Sequence, residues 1–101
     1  MSEIKTDQLH QAIIERLETV IDPETGADVM RMRLVEDLTL DSTGKVCYTF
    51  RPSSPLCPIA VYLVQQIKLA VADLPGVTGQ RITVTGYIAA EELTQLINKE
   101  T

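Results

Sequence analysis

The fold of this chain is decided by the segment LVEDLTLDSTGKVCYTFR, residues 34–51. Apolar and polar residues alternate over 34–40 and again over 46–51, and Asp41-Ser42-Thr43-Gly44 between them is a turn sequence. This pattern predicts two strands paired as an antiparallel hairpin. One face of the hairpin is expected to carry Leu34, Leu38, Leu40, Val46, Tyr48 and Phe50, and the other Val35, Asp37, Thr39, Cys47, Thr49 and Arg51.

Three helices and a third strand are predicted around this hairpin. Apolar residues recur at three- and four-residue intervals over 6–21, over 58–74 and over 89–98, which is typical of amphipathic helices. Alternation over 80–87 predicts the remaining strand. The expected fold is therefore α+β, a two-layer α/β sandwich in the order α-β-β-α-β-α, with a three-stranded mixed sheet covered by helices on one face.

The other face of that sheet is expected to lie open. It would carry Thr39, Thr49, Thr83, Thr85, Asp37 and Cys47. Such a polar face is either simply solvated or a surface for a partner, and both interpretations stay open.

Composition limits the possible functions of the chain. A length of 101 residues with 45% hydrophobic content suits a single domain spanning 1–101. The net charge of −5 and the scattered lysines and arginines argue against a nucleic-acid partner. No apolar run is long enough to cross a membrane, so we expect a cytoplasmic protein with no membrane partner and with its two cysteines reduced.

One cysteine stands in an unusual context, the loop Ser53-Ser54-Pro55-Leu56-Cys57-Pro58. Proline is well tolerated at the first position of a helix, so Pro58 is expected to begin the second helix and to place Cys57 at or beside its N-cap. Free backbone N–H groups and the helix dipole would there favour a thiolate, a nucleophile or a ligand for a soft metal. The alternative is that Cys57 is a small hydrophobic core residue. Cys47, in mid-strand, is expected to be structural or incidental.

A second set of side chains is acidic. Asp22-Pro23-Glu24 and Asp28 follow the first helix, and Glu36-Asp37 lie in the first strand. Carboxylates on loops bind metals or act as acids and bases, but they also end helices as solvated residues. The single histidine, His10, is expected at the surface.

In their order and spacing, three motifs resemble those of the metal-sulfur cluster assembly domain family, which includes SufT-like and PaaD-like proteins and long carried a domain-of-unknown-function label. The motifs are residues 20–29 with the D-P-E sequence, Leu34-Val35-Glu36-Asp37 as a strand entry, and the 53–58 loop with its C-P pair. The resemblance covers Leu9 to Tyr87. Three residues depart from the family pattern: Arg33 replaces the usual glycine, Glu36 a common aromatic residue and Ser53 the usual threonine.

The resemblance implies a non-enzymatic role in maturing iron-sulfur proteins. Cys57 would be the functional thiol, with Asp22, Glu24, Ser53 and Ser54 nearby. Because a cluster generally takes four protein ligands, Cys57 would hold iron or a cluster transiently and share it with a partner. That partner would be the assembly machinery, a client apoprotein or a second copy in a homodimer. Two alternatives remain: an interaction module without a metal role, and a thiol enzyme that uses Cys47 as its resolving cysteine.

Overall fold

The structure, a computed structural model, describes residues 2–99, with side chains described from residue 8 onward. Its helices and strands follow the predicted order. They are α1 Ser2–Leu17, β1 Val35–Leu40, β2 Lys45–Phe50, α2 Ala60–Ala72, β3 Gly79–Val84 and α3 Ala90–Asn98. The predicted α+β class is therefore confirmed.

The sheet is mixed, with the strand order β1-β2-β3. β1 and β2 pair antiparallel, whereas β2 and β3 pair parallel. A parallel pair needs a crossover between its strands, and α2 makes that crossover over one face of the sheet. On that face the alternating side chains of β2 and β3 are buried: Val46, Tyr48, Phe50, Gln80, Ile82 and Val84. The opposite face carries exposed or half-buried side chains, as predicted.

The first strand departs from the predicted alternation. Glu36 pairs with Thr49 and Thr39 with Cys47, so two residues of β1 lie opposite Tyr48 alone. This is a β-bulge, and Asp37 within it has a positive φ of 54°. Because of the extra residue, the side chains before the bulge point to the opposite faces from those that simple alternation predicts. Val35, expected on the open face, is consequently buried in the core.

The helices also differ from the predicted ranges at their ends. α1 begins at Ser2, ahead of the predicted start, because residues such as glutamate and lysine have a high helix propensity. It ends at Leu17, where Thr19 donates a side-chain hydrogen bond of 2.6 Å to the carbonyl oxygen of Arg16. Among the described residues, no helix combines the length and the apolar character needed to cross a membrane.

A buried hydrogen-bonded chain fastens the sheet to α2. The Tyr48 hydroxyl donates to Gln80 Oε1 at 2.8 Å, and Gln80 Nε2 donates to the carbonyl oxygen of Lys68 at 2.8 Å. Burial raises the pKa of Tyr48, so its proton stays available for this bond. Both polar atoms of the buried Gln80 side chain therefore have hydrogen-bond partners in the core.

α3 covers the free edge of β3 with side chains. Asn98 accepts a hydrogen bond from the N–H of Ile82 at 2.8 Å and donates one to its carbonyl oxygen at 2.6 Å. Thr94 accepts from the N–H of Val84 at 2.8 Å. An open strand edge exposes such groups to wrong partners, so α3 protects this side of the sheet.

Candidate functional site

Three loops meet at one end of the sheet. The carboxyl ends of the parallel strands β2 and β3 lie at this end, where the N–H of Thr85 donates to Phe50 O at 3.0 Å. The N–H of Arg51 donates to Leu34 O at 2.7 Å, which joins the exit of β2 to the entry of β1. We call this the thiol end and define it by residues 20–34, 51–59 and 85–89. All three motifs quoted from the sequence reach it.

Cys57 is buried at the thiol end. Its residue is only 5% exposed and belongs to the apolar core cluster. The N–H of Cys57 donates to Ser54 O at 3.1 Å, and its carbonyl accepts from the N–H of Ala60 at 3.4 Å. The thiol thus sits in a turn that ties the loop to the start of α2.

The expectation that Pro58 begins the second helix is wrong. α2 begins at Ala60, and its N-cap is Ile59, which makes no side-chain capping bond. Pro58 and Ile59 instead form a turn ahead of the helix. Proline fixes φ at a value that suits a turn as well as a helix, so the residue type alone does not place the boundary. That Cys57 acts through a thiolate stays a prediction.

The two serines of the loop lie at the surface. Ser54 Oγ accepts a hydrogen bond from the N–H of Leu56 at 3.3 Å, so this hydroxyl shapes the turn that holds Cys57. Ser53 is exposed one residue earlier. The Ser54 hydroxyl therefore takes part in the turn before Cys57, and a functional role for either hydroxyl stays a prediction.

Asp22 has a different environment from the expected one. It is 2% exposed, and its Oδ1 accepts a hydrogen bond from the N–H of Glu24 at 2.8 Å. Its main chain closes the same loop, because its N–H donates to Ala27 O at 2.9 Å and its carbonyl accepts from Gly26 N at 2.8 Å. Neither the helix-ending nor the solvated interpretation fits Asp22, since α1 ends at Leu17. Glu24 itself is exposed.

The described residues hold no group of three or more histidine, cysteine, aspartate or glutamate side chains that could bind a metal ion. Cys57, Asp22 and Glu24 therefore reach the same end of the sheet without forming such a group. Asp28, the third carboxylate of its loop, has Oδ1 engaged by the N–H of Arg31 at 2.8 Å. At this loop Asp22 and Asp28 stabilise main-chain turns.

The departure at Arg33 falls on a special backbone position. Arg33 has a φ of 58°, in the left-handed region that glycine adopts freely and other residues do not. This positive φ explains why the family usually has glycine at this position. The arginine keeps the turn at a cost in strain and adds an exposed cation beside the entry to β1.

Exposed apolar side chains lie in the cysteine loop and beside it. Leu56 is 69% exposed and Ile88 is 74% exposed, and the N–H of Ile88 donates to Pro55 O at 2.9 Å. Ile21, Val61 and Tyr62 are also exposed large hydrophobic residues near this end. This feature was not predicted from the sequence, although the 53–58 loop contains the large apolar side chain of Leu56.

The fold and the site together define a class of protein: a small α+β domain with a loop cysteine and a locked D-P-E turn at one end of a mixed sheet, as in metal-sulfur cluster assembly domains. Residues 10–84 match the profile of a family described as iron-sulfur cluster assembly protein, and the chain belongs to that family. The resemblance drawn from the three motifs is thereby confirmed.

Individual proteins agree with this assignment. The chain is 36% identical over 78 residues to the Fe-S protein maturation auxiliary factor YitW of Bacillus subtilis, covering 77% of this chain and 76% of that protein. It is 28% identical over 65 residues to the Fe-S protein maturation auxiliary factor SufT of Staphylococcus aureus, covering 64% and 74%. The crystal structure of a domain of unknown function from Bacillus anthracis matches with a TM-score of 0.73 and 25% identity, over 97% of this chain and 95% of that one.

Proposed function

We propose that this chain is a non-enzymatic, cytoplasmic factor in iron-sulfur protein maturation that holds iron or an iron-sulfur cluster transiently through Cys57. The observation that carries the proposal is the position of Cys57, the thiol of a loop that also contains the exposed Leu56 and is hydrogen-bonded to the exposed Ile88. The metal is inferred from the family, because the chain belongs to the iron-sulfur cluster assembly proteins.

The ligand set is shared with a partner. Clusters take four protein ligands as a rule, and no group of three metal-binding side chains exists among the described residues. The missing thiolates come from an assembly protein, a client apoprotein, a small thiol or the same cysteine of a second copy. A shared site makes binding reversible, because the complex loses ligands whenever the partner leaves.

Handover to a client is a ligand exchange. A client cysteine thiolate displaces the Cys57 sulfur from iron, so one Fe–S bond forms as another breaks. The proton given up by the client cysteine is balanced by the proton that the Cys57 thiolate takes up, and the cluster keeps its oxidation state. Asp22 acts as a positioning residue that fixes its loop, while Glu24 and Ser53 are the exposed polar groups available to the incoming partner.

Burial of Cys57 adds a requirement. A thiol in a residue that is 5% exposed meets iron only when its loop opens locally. The 53–58 segment contains no helix or strand, so its opening leaves the sheet intact. A partner that packs against Leu56 and Ile88 would bring its own ligands to this loop, because such packing buries apolar surface that the free protein exposes.

Reconstitution tests this role. The protein is treated anaerobically with ferrous iron, sulfide and dithiothreitol, alone and with an apo-enzyme that requires a [4Fe-4S] cluster. Wild type is expected to gain cluster absorbance and to load the apo-enzyme, and Cys57→Ala to lose both. Cys47→Ala is the matched control, since it removes the other thiol from the open face of the sheet. Equal loading of the apo-enzyme by Cys57→Ala and wild type would contradict a functional role for the Cys57 thiol.

One observation favours a second candidate, an interaction module without a metal role. Cys57 belongs to the apolar core cluster, as a purely structural cysteine would. In that case Cys57→Ser destabilises the fold, yet the remaining folded protein still supports client maturation. The thiol-enzyme alternative has less support, because Cys47 pairs with Thr39 on the open sheet face while Cys57 lies in the core.

A further inference from the structure

The sheet face turned away from the helices has a distinctive charge pattern. We define the outer sheet face by the side chains that point away from the core on β2, on β3 and on the residue that directly follows each of these strands. These are Lys45, Cys47, Thr49, Arg51, Arg81, Thr83 and Thr85. β2 and β3 contribute three cations and no carboxylate to the face, although the whole chain has 14 acidic residues against nine lysines and arginines. β1 adds one carboxylate, that of Glu36 beside Thr49.

The three cations of this face lack acidic partners. Among the side chains described, the salt bridge of the structure joins Arg16 to Asp73 on the helical side, and Lys45, Arg51 and Arg81 form none. The nearest acidic position in the sheet register is Glu36, on the neighbouring strand in the row of Thr49. Unpaired cations gathered on an acidic protein form a local positive potential that attracts negative charge.

We propose that the outer sheet face is a docking surface for an extended acidic segment of a partner protein. The cations follow β2 from Lys45 to Arg51, a length of about 20 Å, which an extended segment of about six residues spans. Threonines fill the space between the cations and present a flat, hydrogen-bonding surface. Arg51 leads directly into the 53–58 loop, so a segment lying along this face ends at the thiol end.

The composition of the face favours an acidic protein segment as the partner over nucleic acid or an anionic lipid surface. It contains no aromatic side chain on which a base would stack, and the net charge of −5 opposes the counterion exchange on which nucleic-acid binding depends. It also lacks apolar side chains for insertion into a lipid surface. The partner identity rests on the proposed function: the segment belongs to the protein that gives or receives the cluster.

The test is a titration followed by amide chemical shifts. The probe is a capped 12-residue peptide of alternating glutamate and threonine, and its control has lysine in place of glutamate. We expect shifts confined to residues 45–51 and 79–85 with the acidic peptide alone. Arg81→Glu should weaken binding about tenfold, because a contact attraction becomes a repulsion. Lys99→Glu changes the charge by the same amount at an exposed residue away from the face, and it should leave the affinity for the peptide unchanged.

A second readout uses Cys47, which lies between Thr39 and Arg81 in the register of this face. In a Cys57→Ala background the reaction of Cys47 with a thiol reagent should slow when the acidic peptide is present. Peptide binding by this variant is measured whether or not it matures clients, so failure of docking and failure of the functional thiol are separate results. Shifts elsewhere, an unaffected Arg81→Glu variant, or tighter binding of single-stranded DNA or anionic phospholipid vesicles at this face would overturn the proposal.

Discussion

Replacement of Arg33 by glycine is expected to stabilise the protein. Arg33 has a φ of 58°, and the left-handed region costs an L-residue about 1–2 kcal/mol. Glycine removes that cost but loses about 0.4–1 kcal/mol through the greater freedom of the unfolded chain. The net expectation is a gain of about 0.5–1 kcal/mol in the free energy of unfolding. For a domain of this size, that raises Tm by about 4–8 °C per kcal/mol.

Thermal and urea unfolding followed by circular dichroism measure this change, with two controls. Arg33→Ala removes the same charge but keeps a Cβ at the strained position, so we expect no comparable gain. Arg31→Gly removes an equivalent exposed cation two residues earlier, at a residue without a positive φ, and should destabilise. If Arg33→Gly proves no more stable than Arg33→Ala, backbone strain is the wrong explanation for the family's glycine.

Three further predictions concern stability. Gly44→Ala should cost more than about 2 kcal/mol, because Gly44 has a φ of 93° and an added Cβ would overlap the carbonyl oxygen of Gly76; urea unfolding checks this. Asp22→Ala should lower the free energy of unfolding by about 1–3 kcal/mol, because the N–H of Glu24 loses its acceptor; a loss below about 0.5 kcal/mol in urea would contradict the positioning role. Since the pKa of Tyr48 is raised in the folded state, the unfolded state ionises first and stability should fall as the pH rises above about 10; Tyr48→Phe should remove that part of the pH dependence in alkaline melts.

The main features of the fold follow from patterns that the sequence shows directly. Alternation at Val46, Tyr48 and Phe50 is confirmed as the core face of the central strand, because strand periodicity fixes which side chains share a face. The bulge at Asp37 was not predictable from alternation. One extra residue reverses the facing of β1, and nothing in the apolar pattern marks where it is inserted.

The candidate site was less predictable than the fold. The motifs containing Asp22 and Cys57 were found, and the structure brings their loops to one end of the sheet. The burial of Asp22 was not predicted, and that of Cys57 was one of two open interpretations, because a D-P-E turn and a C-P turn each look like surface loops in the sequence. Burial depends on which neighbouring elements close over a loop, and that is a property of tertiary packing.

The charge pattern of the outer sheet face shows the same limit. Along the chain, Lys45, Arg51 and Arg81 are separated cations in a sequence rich in acidic residues. The parallel pairing of β2 with β3 brings them onto one face. The alternation of the strands predicted a polar face, but the clustering of these cations on it follows only from the strand register.

The central claim is that Cys57 is the thiol through which this protein passes iron or a cluster to a client. The most direct measurement is the rate at which a reconstituted sample restores activity to an apo-enzyme that requires a [4Fe-4S] cluster. Wild type, Cys57→Ala and Cys47→Ala are compared at equal folded concentration. The account predicts that Cys57→Ala loses the transfer while Cys47→Ala retains it. Equal rates for wild type and Cys57→Ala would contradict the claim.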